Sequence, residues 1–245
     1  MPAPSQKPRK RAGKIVLLSL GALLLALLLA FFAYTQDYYR ADADVAALTA
    51  DNQNIRQDGN LTILSPDAAN DTGAGLIFYP GGKVEETAYL PLLEQLRENG
   101  LTCVLVRMPF RLAVFDIRAA DAVYAKIPSI SRWYLAGHSL GGAMASSYVP
   151  GNEDKLAGLI LLGAYPVNDS PIPTLAIYGS EDVQLDRSKL TTVANKLEIQ
   201  GGNHAYFGNY GEQAGDGTAS ISREAQQTQA VAAILAFVQS APSVR

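Results

Sequence analysis

Chemistry in this chain centres on Gly137-His138-Ser139-Leu140-Gly141-Gly142, which follows directly on the apolar run Trp133-Tyr134-Leu135-Ala136. A serine with glycines two positions to either side, between a strand-like run and the helix-compatible Gly142-Ala143-Met144-Ala145, suits a tight strand-to-helix turn. Side chains at those two positions would collide across such a turn, which is why glycine is required. The turn would lift the Ser139 hydroxyl clear of a sheet and aim it at a helix N-terminus. Backbone N–H groups and the helix dipole favour negative charge there. The implied chemistry is nucleophilic attack by a hydroxyl.

A serine nucleophile needs a base, and the base needs an orienting group. The chain has two histidines. The ring of His138 is placed by the turn itself and cannot readily swing back onto Ser139. His204 is the remaining candidate, in Gly201-Gly202-Asn203-His204 after the run Leu197-Glu198-Ile199. Tyr178-Gly179-Ser180-Glu181-Asp182 leaves another apolar run and offers Asp182 as the orienting acid, with Glu181 and Asp186 as alternatives. The non-catalytic reading of Asp182 is a cap on a helix starting near Asp186. Charge developing on an attacked carbonyl needs two backbone donors. Leu140 supplies one; Tyr79-Pro80-Gly81-Gly82-Lys83 supplies the other from Gly82 or Lys83.

Lys83, Arg107 and Arg111 all follow apolar runs, so they are expected either to rim the site and select an anionic substrate or to be solvated loop cations. The loop 205–220, with Tyr206, Phe207 and Tyr210, forms a pocket wall or packs beneath the histidine. Tyr206 and Phe207 join Arg107 and Arg111 as candidate substrate contacts.

The elements that must position these groups alternate along the chain. Residues 54–57 and 61–64 flank Asp58-Gly59 and read as a hairpin. Short apolar strands are expected at 76–79, 102–106, 133–136, 158–162, 174–178 and 196–199, with helices at 86–98, 114–126 and 222–239. Strands separated by helices imply an α/β domain with a mostly parallel, doubly wound sheet behind the N-terminal hairpin. Only about ten residues, 163–173, connect two of the strands, which leaves no room for a large inserted cap.

The net charge of −3 averages two unlike parts. Residues 7–14 hold five basic groups, leaving 20 − 5 = 15 basic against 23 acidic residues, a remainder of −8. Between them, Ile15 to Tyr34 is twenty residues without a charge, about 30 Å of helix, the thickness of a bilayer's hydrocarbon core. The stretch is too long for a signal-peptide core, and Phe31 to Gln36 is a poor cleavage site, so a retained signal anchor is expected. The positive-inside rule puts the basic tail, 1–14, in the cytoplasm and the acidic remainder outside. The expected organisation is tail 1–14, transmembrane anchor 15–34, stem 35–54 and catalytic domain 55–245. The lipid bilayer is thus one partner. An acidic exterior with no basic patch argues against nucleic acid. One cysteine, Cys103, excludes an internal disulfide and a cysteine-based metal cluster, and two histidines leave little for a histidine-rich metal site. Asn60-Leu61-Thr62, Asn70-Asp71-Thr72 and Asn168-Asp169-Ser170 match glycosylation acceptors, relevant only in a eukaryotic secretory setting.

On Tyr79-Pro80-Gly81-Gly82, Gly137 to Gly142, Gly179 to Asp182 and Gly202-Asn203-His204, residues 55–240 resemble the α/β-hydrolase superfamily. The resemblance is to a small, lidless branch similar to dienelactone hydrolases and compact carboxylesterases. It implies Ser139 as nucleophile, His204 as base, Asp182 as acid, and Leu140 with Gly82 or Lys83 as oxyanion hole, with no metal or other cofactor. The implied activity is cleavage of a small ester or related acyl substrate through an acyl-enzyme. Pro80 stands where many members carry histidine, which leaves the second donor open. The short crossover argues against a lipase that works by opening a lid. The same residues serve an acyltransferase, a cofactor-free haloperoxidase or a non-catalytic, membrane-tethered binding domain.

Overall fold

A computed structural model describes residues 9–50, 52–169 and 171–240. Residues 1–8 of the expected basic tail, and Ser170 of the third asparagine triplet, lie outside them. The chain divides into two units between Tyr38 and Tyr39. The first contains helix α1 (Arg9–Gln36), whose 24 residues from Gly13 to Gln36 are long and apolar enough to cross a membrane.

The second unit opens with a short helix α2 (Val45–Ala50) and the hairpin β1 (Ile55–Asp58) and β2 (Leu61–Leu64), closed by Gly59-Asn60 with Gly59 at φ 65°. β3 (Ala74–Tyr79), α3 (Leu90–Glu98), β4 (Thr102–Val106), α4 (Ala120–Lys126), β5 (Arg132–His138) and α5 (Leu140–Tyr148) follow. β6 (Leu156–Leu162), β7 (Thr174–Gly179), β8 (Asn195–Ile199) and α6 (Arg223–Ser240) complete it. The eight strands run in the order β1-β2-β4-β3-β5-β6-β7-β8. The hairpin and its junction with β4 are antiparallel and all other pairs parallel, the α/β-hydrolase fold.

Strands buried on both faces read as continuous apolar runs, and alternate residues feed two cores. Leu76 and Phe78 of β3, with Tyr134 and Ala136 of β5, face the core that α3 and α6 cover. Ile77 and Tyr79, with Trp133 and Leu135, face the core under α4 and α5. β3 lies at the centre, with β4 on one side and β5 on the other. The loops leaving β3 and β5 are therefore neighbours at the switch in strand order, where open α/β sheets place their ligands.

Three expectations change. The helix over 86–98 begins as a 3-10 turn at Glu86–Tyr89, with Pro91 in the first turn of α3. The helix over 114–126 shortens to 120–126, because two 3-10 turns occupy 109–115 and Phe110 and Arg111 both take positive φ (53° and 57°). Most of the expected stem is part of the domain. Tyr39 bridges Val84, its N–H donates to the Lys83 carbonyl (2.8 Å), and its own carbonyl accepts from the Glu85 N–H (2.8 Å). Asp42 pairs with Arg223 at 2.6 Å, and Val45 is buried in the core.

Candidate active site

Ser139 sits between β5 and α5 at φ 51°, ψ −122°, a backbone state that L-residues rarely adopt. A Cβ on Gly137 would lie 2.5 Å from the backbone of Gly141 and Gly142, and one on Gly141 would strike the Tyr79 and Pro80 carbonyls. Those two glycines therefore let the turn fold against itself and against the end of β3. The Ser139 N–H donates to the Leu162 carbonyl (3.0 Å), tying the turn to β6.

His204 and Asp182 come from the loops after β8 and β7. His204 Nδ1 lies 2.9 Å from Asp182 Oδ2, and both side chains are buried. The other carboxylate oxygen accepts from the Gln184 and Leu185 N–H groups, each at 3.0 Å, so Asp182 is fixed from both sides. Glu181 instead accepts from the Ser180 hydroxyl, and Asp186 caps the turn at Ser188. Gly163, at φ 53°, makes the His204–Asp182 pair possible, since a Cβ there would lie 2.9 Å from Nδ1 and 3.2 Å from Oδ2. The opposite ring nitrogen of His204, Nε2, is buried and has no hydrogen-bond partner among the described residues.

His138 contrasts with it. Fully buried, it has one ring nitrogen 2.8 Å from the Tyr89 hydroxyl and the other 3.0 Å from the His204 carbonyl. Burial, reinforced by His204 close by, holds its pKa well below the ordinary histidine value.

The amides of the loop after β3 are not equivalent. Gly81 N–H donates to the Tyr89 hydroxyl (3.0 Å), Lys83 N–H to the Arg111 carbonyl (2.9 Å), and Val84 N–H to the Gly81 carbonyl (3.3 Å). The Lys83 amide is thus already committed, and Gly82 is the available donor of the two expected. Gly82 lies against the residue after the serine: a Cβ on it would be 2.8 Å from Leu140 Cδ2. The positive φ of Phe110 and Arg111 belongs to the bend that turns the Arg111 carbonyl toward Lys83.

Ser139 and His204 line one cavity of about 300 Å³ with Leu140, Ala143, Tyr165 and Leu185. The four expected substrate contacts lie elsewhere. Arg107 and Arg111 line a different hollow of about 430 Å³, with Asn60 and Glu86. A cation at a strand end does not dictate which way its side chain leaves the loop, and Arg107 turns toward Glu86 (4.0 Å). Phe207 is fully buried against His138, at 5.7 Å between ring centroids, and the Arg223 guanidinium lies 5.0 Å from the centre of the Tyr206 ring. Of the 205–220 loop, Phe207 packs against His138, Tyr206 lines a separate hollow with residues from 212–219, and none of the loop lines the Ser139 cavity.

Sequence reasoning missed Tyr89, Gly163, Tyr165, Gln184 and Leu185. Four of these could have been found by position, since Gly163 and Tyr165 follow β6 directly and Gln184 and Leu185 follow the acid. Tyr89 carried no local signal; it stands inside a stretch that reads as an ordinary amphipathic helix.

Comparison with known proteins gives the family and supports the fold. Residues 75–228 match the family model described as "Alpha/beta hydrolase family". TT1662 from Thermus thermophilus shares the fold at 14% identity and TM-score 0.54, over 78% of this chain and 99% of that one. XC6422 from Xanthomonas campestris, titled a member of a/b serine hydrolase without lid, is similar at 16% identity and TM-score 0.51, over 76% and 90%. Est1E from Butyrivibrio proteoclasticus is similar at 17% identity and TM-score 0.51, over 76% and 98%. No curated protein sequence matches the chain.

Proposed function

Because this chain belongs to the alpha/beta hydrolase family, we propose that it is a membrane-anchored serine hydrolase that cleaves a small ester through a Ser139–His204–Asp182 triad. One observation carries the reading. Ser139, at its strained turn, shares a cavity with a histidine whose Nδ1 is held by a buried carboxylate and whose Nε2 has no hydrogen-bond partner among the described residues.

In the proposed cycle, His204 Nε2 takes the Ser139 proton as Oγ bonds to the acyl carbon. The Gly82 and Leu140 amides hold the oxyanion, each worth on the order of 10²-fold or more in rate. Asp182 holds the imidazole in the required tautomer and stabilises the imidazolium. The tetrahedral intermediate collapses, the alcohol leaves with the proton from His204, and the acyl group stays on Ser139. Water, deprotonated by His204, then releases the acid. A cavity of about 300 Å³ is at the lower end for ligand sites, consistent with a small acyl group. The apolar helix from Gly13 to Gln36 supports the anchor, with the basic N-terminus in the cytoplasm and the domain outside.

Fluorophosphonate labelling and p-nitrophenyl acetate turnover test the assignment. Ser139→Ala is expected to abolish labelling and lower kcat by about 10⁴-fold or more. Labelling that survives in that variant would remove Ser139 as the nucleophile.

A further inference from the structure

We propose that Tyr89 and His138 form a positioning relay that ties the oxyanion loop to the main chain of His204, so that the acyl-transfer step depends on both. The proposal rests on the hydrolase reading above.

The hydrogen-bond directions follow from what each atom can do. The His204 carbonyl can only accept, so His138 Nε2 carries the proton. A neutral imidazole protonated there has an acceptor at Nδ1, so the Tyr89 hydroxyl, 2.8 Å away, donates to it. The Tyr89 oxygen in turn accepts the Gly81 N–H at 3.0 Å. The chain of bonds runs Gly81 to Tyr89 to His138 to His204, with every member satisfied and each direction fixed by the next. The other neutral tautomer would set a lone pair against the His204 carbonyl, so the relay has one stable arrangement.

Its ends lie where the chemistry is sensitive. Gly81 precedes the amide assigned to the oxyanion, and a Cβ on it would be 2.8 Å from both the Tyr89 hydroxyl and His138 Nδ1. The loop therefore rests directly on the relay. At the other end, the bonded carbonyl belongs to His204 itself, and the two imidazole centroids are 4.6 Å apart. Tyr89 and His138 are fully buried, with Phe78 and Phe207 packed against them, so they sit away from bulk water. Neither residue touches the cavity at Ser139, which makes this a positioning role.

The experiment compares Tyr89→Phe, His138→Leu and His138→Gln in the full-length protein, counting active sites by fluorophosphonate labelling. Tyr89→Phe keeps the ring and removes only the hydroxyl, so it tests the idea even if His138→Leu fails to fold. The relay predicts that kcat per labelled site falls about tenfold or more in Tyr89→Phe and His138→Leu, with KM within about twofold. Affinity for a trifluoromethyl ketone, which mimics the oxyanion, should fall in step with kcat/KM. His138→Gln, whose amide can donate to the His204 carbonyl and accept from Tyr89, should recover most of the loss. The relay is overturned if Tyr89→Phe has wild-type kcat, if the loss is confined to KM, or if glutamine does no better than leucine. A wild-type protein that neither labels nor turns over ester would instead remove the hydrolase reading, and the relay with it.

Discussion

Two histidines stand 4.6 Å apart, ring centre to ring centre, and their surroundings differ in one respect. Both ring nitrogens of His138 are engaged, one with a hydroxyl and one with a carbonyl. His204 has one nitrogen held by Asp182, while the other is buried, lacks a partner among the described residues and lines the same cavity as a serine in a strained turn. A buried polar atom left unpaired costs about 1–3 kcal/mol, and such atoms are uncommon in folded proteins. On the proposed reading, the contrast teaches that incomplete hydrogen bonding points to the base better than proximity to the serine in sequence, where His138 is adjacent and His204 is not.

The largest test of that contrast exchanges each histidine for glutamine. His204→Gln should lower kcat for p-nitrophenyl acetate by about 10³-fold or more, and His138→Gln by only a few-fold. Equal losses would erase the distinction.

A smaller effect comes from pressing on the His204–Asp182 pair. In Gly163→Ala the new methyl group meets His204 Nδ1 at 2.9 Å and the residue must hold φ 53°. The same methyl lies 3.2 Å from Asp182 Oδ2, so it presses on the pair, and we expect kcat to fall about 10²-fold with Ser139 itself unchanged. Unchanged kcat would mean that the His204–Asp182 contact tolerates displacement.

The smallest effect is on stability. Burial depresses the His138 pKa, so the folded protein refuses a proton that the unfolded chain accepts below about pH 6.5. Its contribution is therefore intact above pH 6.5 and is lost as pH falls below it, by up to about 1.4 kcal/mol per pH unit. Thermal melts from pH 7 to 5 should show a shallower decline in His138→Gln than in the wild type. Parallel curves would show that His138 binds protons equally in both states.

What could be read from the sequence was local. The turn at Ser139 announces itself because a strand, two spaced glycines and a small-residue helix start lie within a dozen positions. Asp182 and His204 were legible for a similar reason, each following an apolar strand directly. The choice between Gly82 and Lys83 was not, because it turns on a carbonyl at Arg111, 28 positions along the chain. For the arginines at 107 and 111 both readings stayed open, because charge and strand-end position say nothing about side-chain direction; the structure places them at a different hollow from Ser139. Residues 39–54 read as a stem because their partners, among them Lys83, Asn209 and Arg223, lie far off in sequence.

The bridge between Tyr39 and Val84 also bears on how the domain could be released from its helix by proteolysis. A cut after Tyr38 spares every hydrogen bond that Tyr39 makes to the loop carrying Gly82. A cut after Asn54 discards them, together with the Asp42–Arg223 pair and the buried Val45. Of the two fragments, the longer keeps the brace behind the Gly82 loop, and it is the one expected to purify in working form.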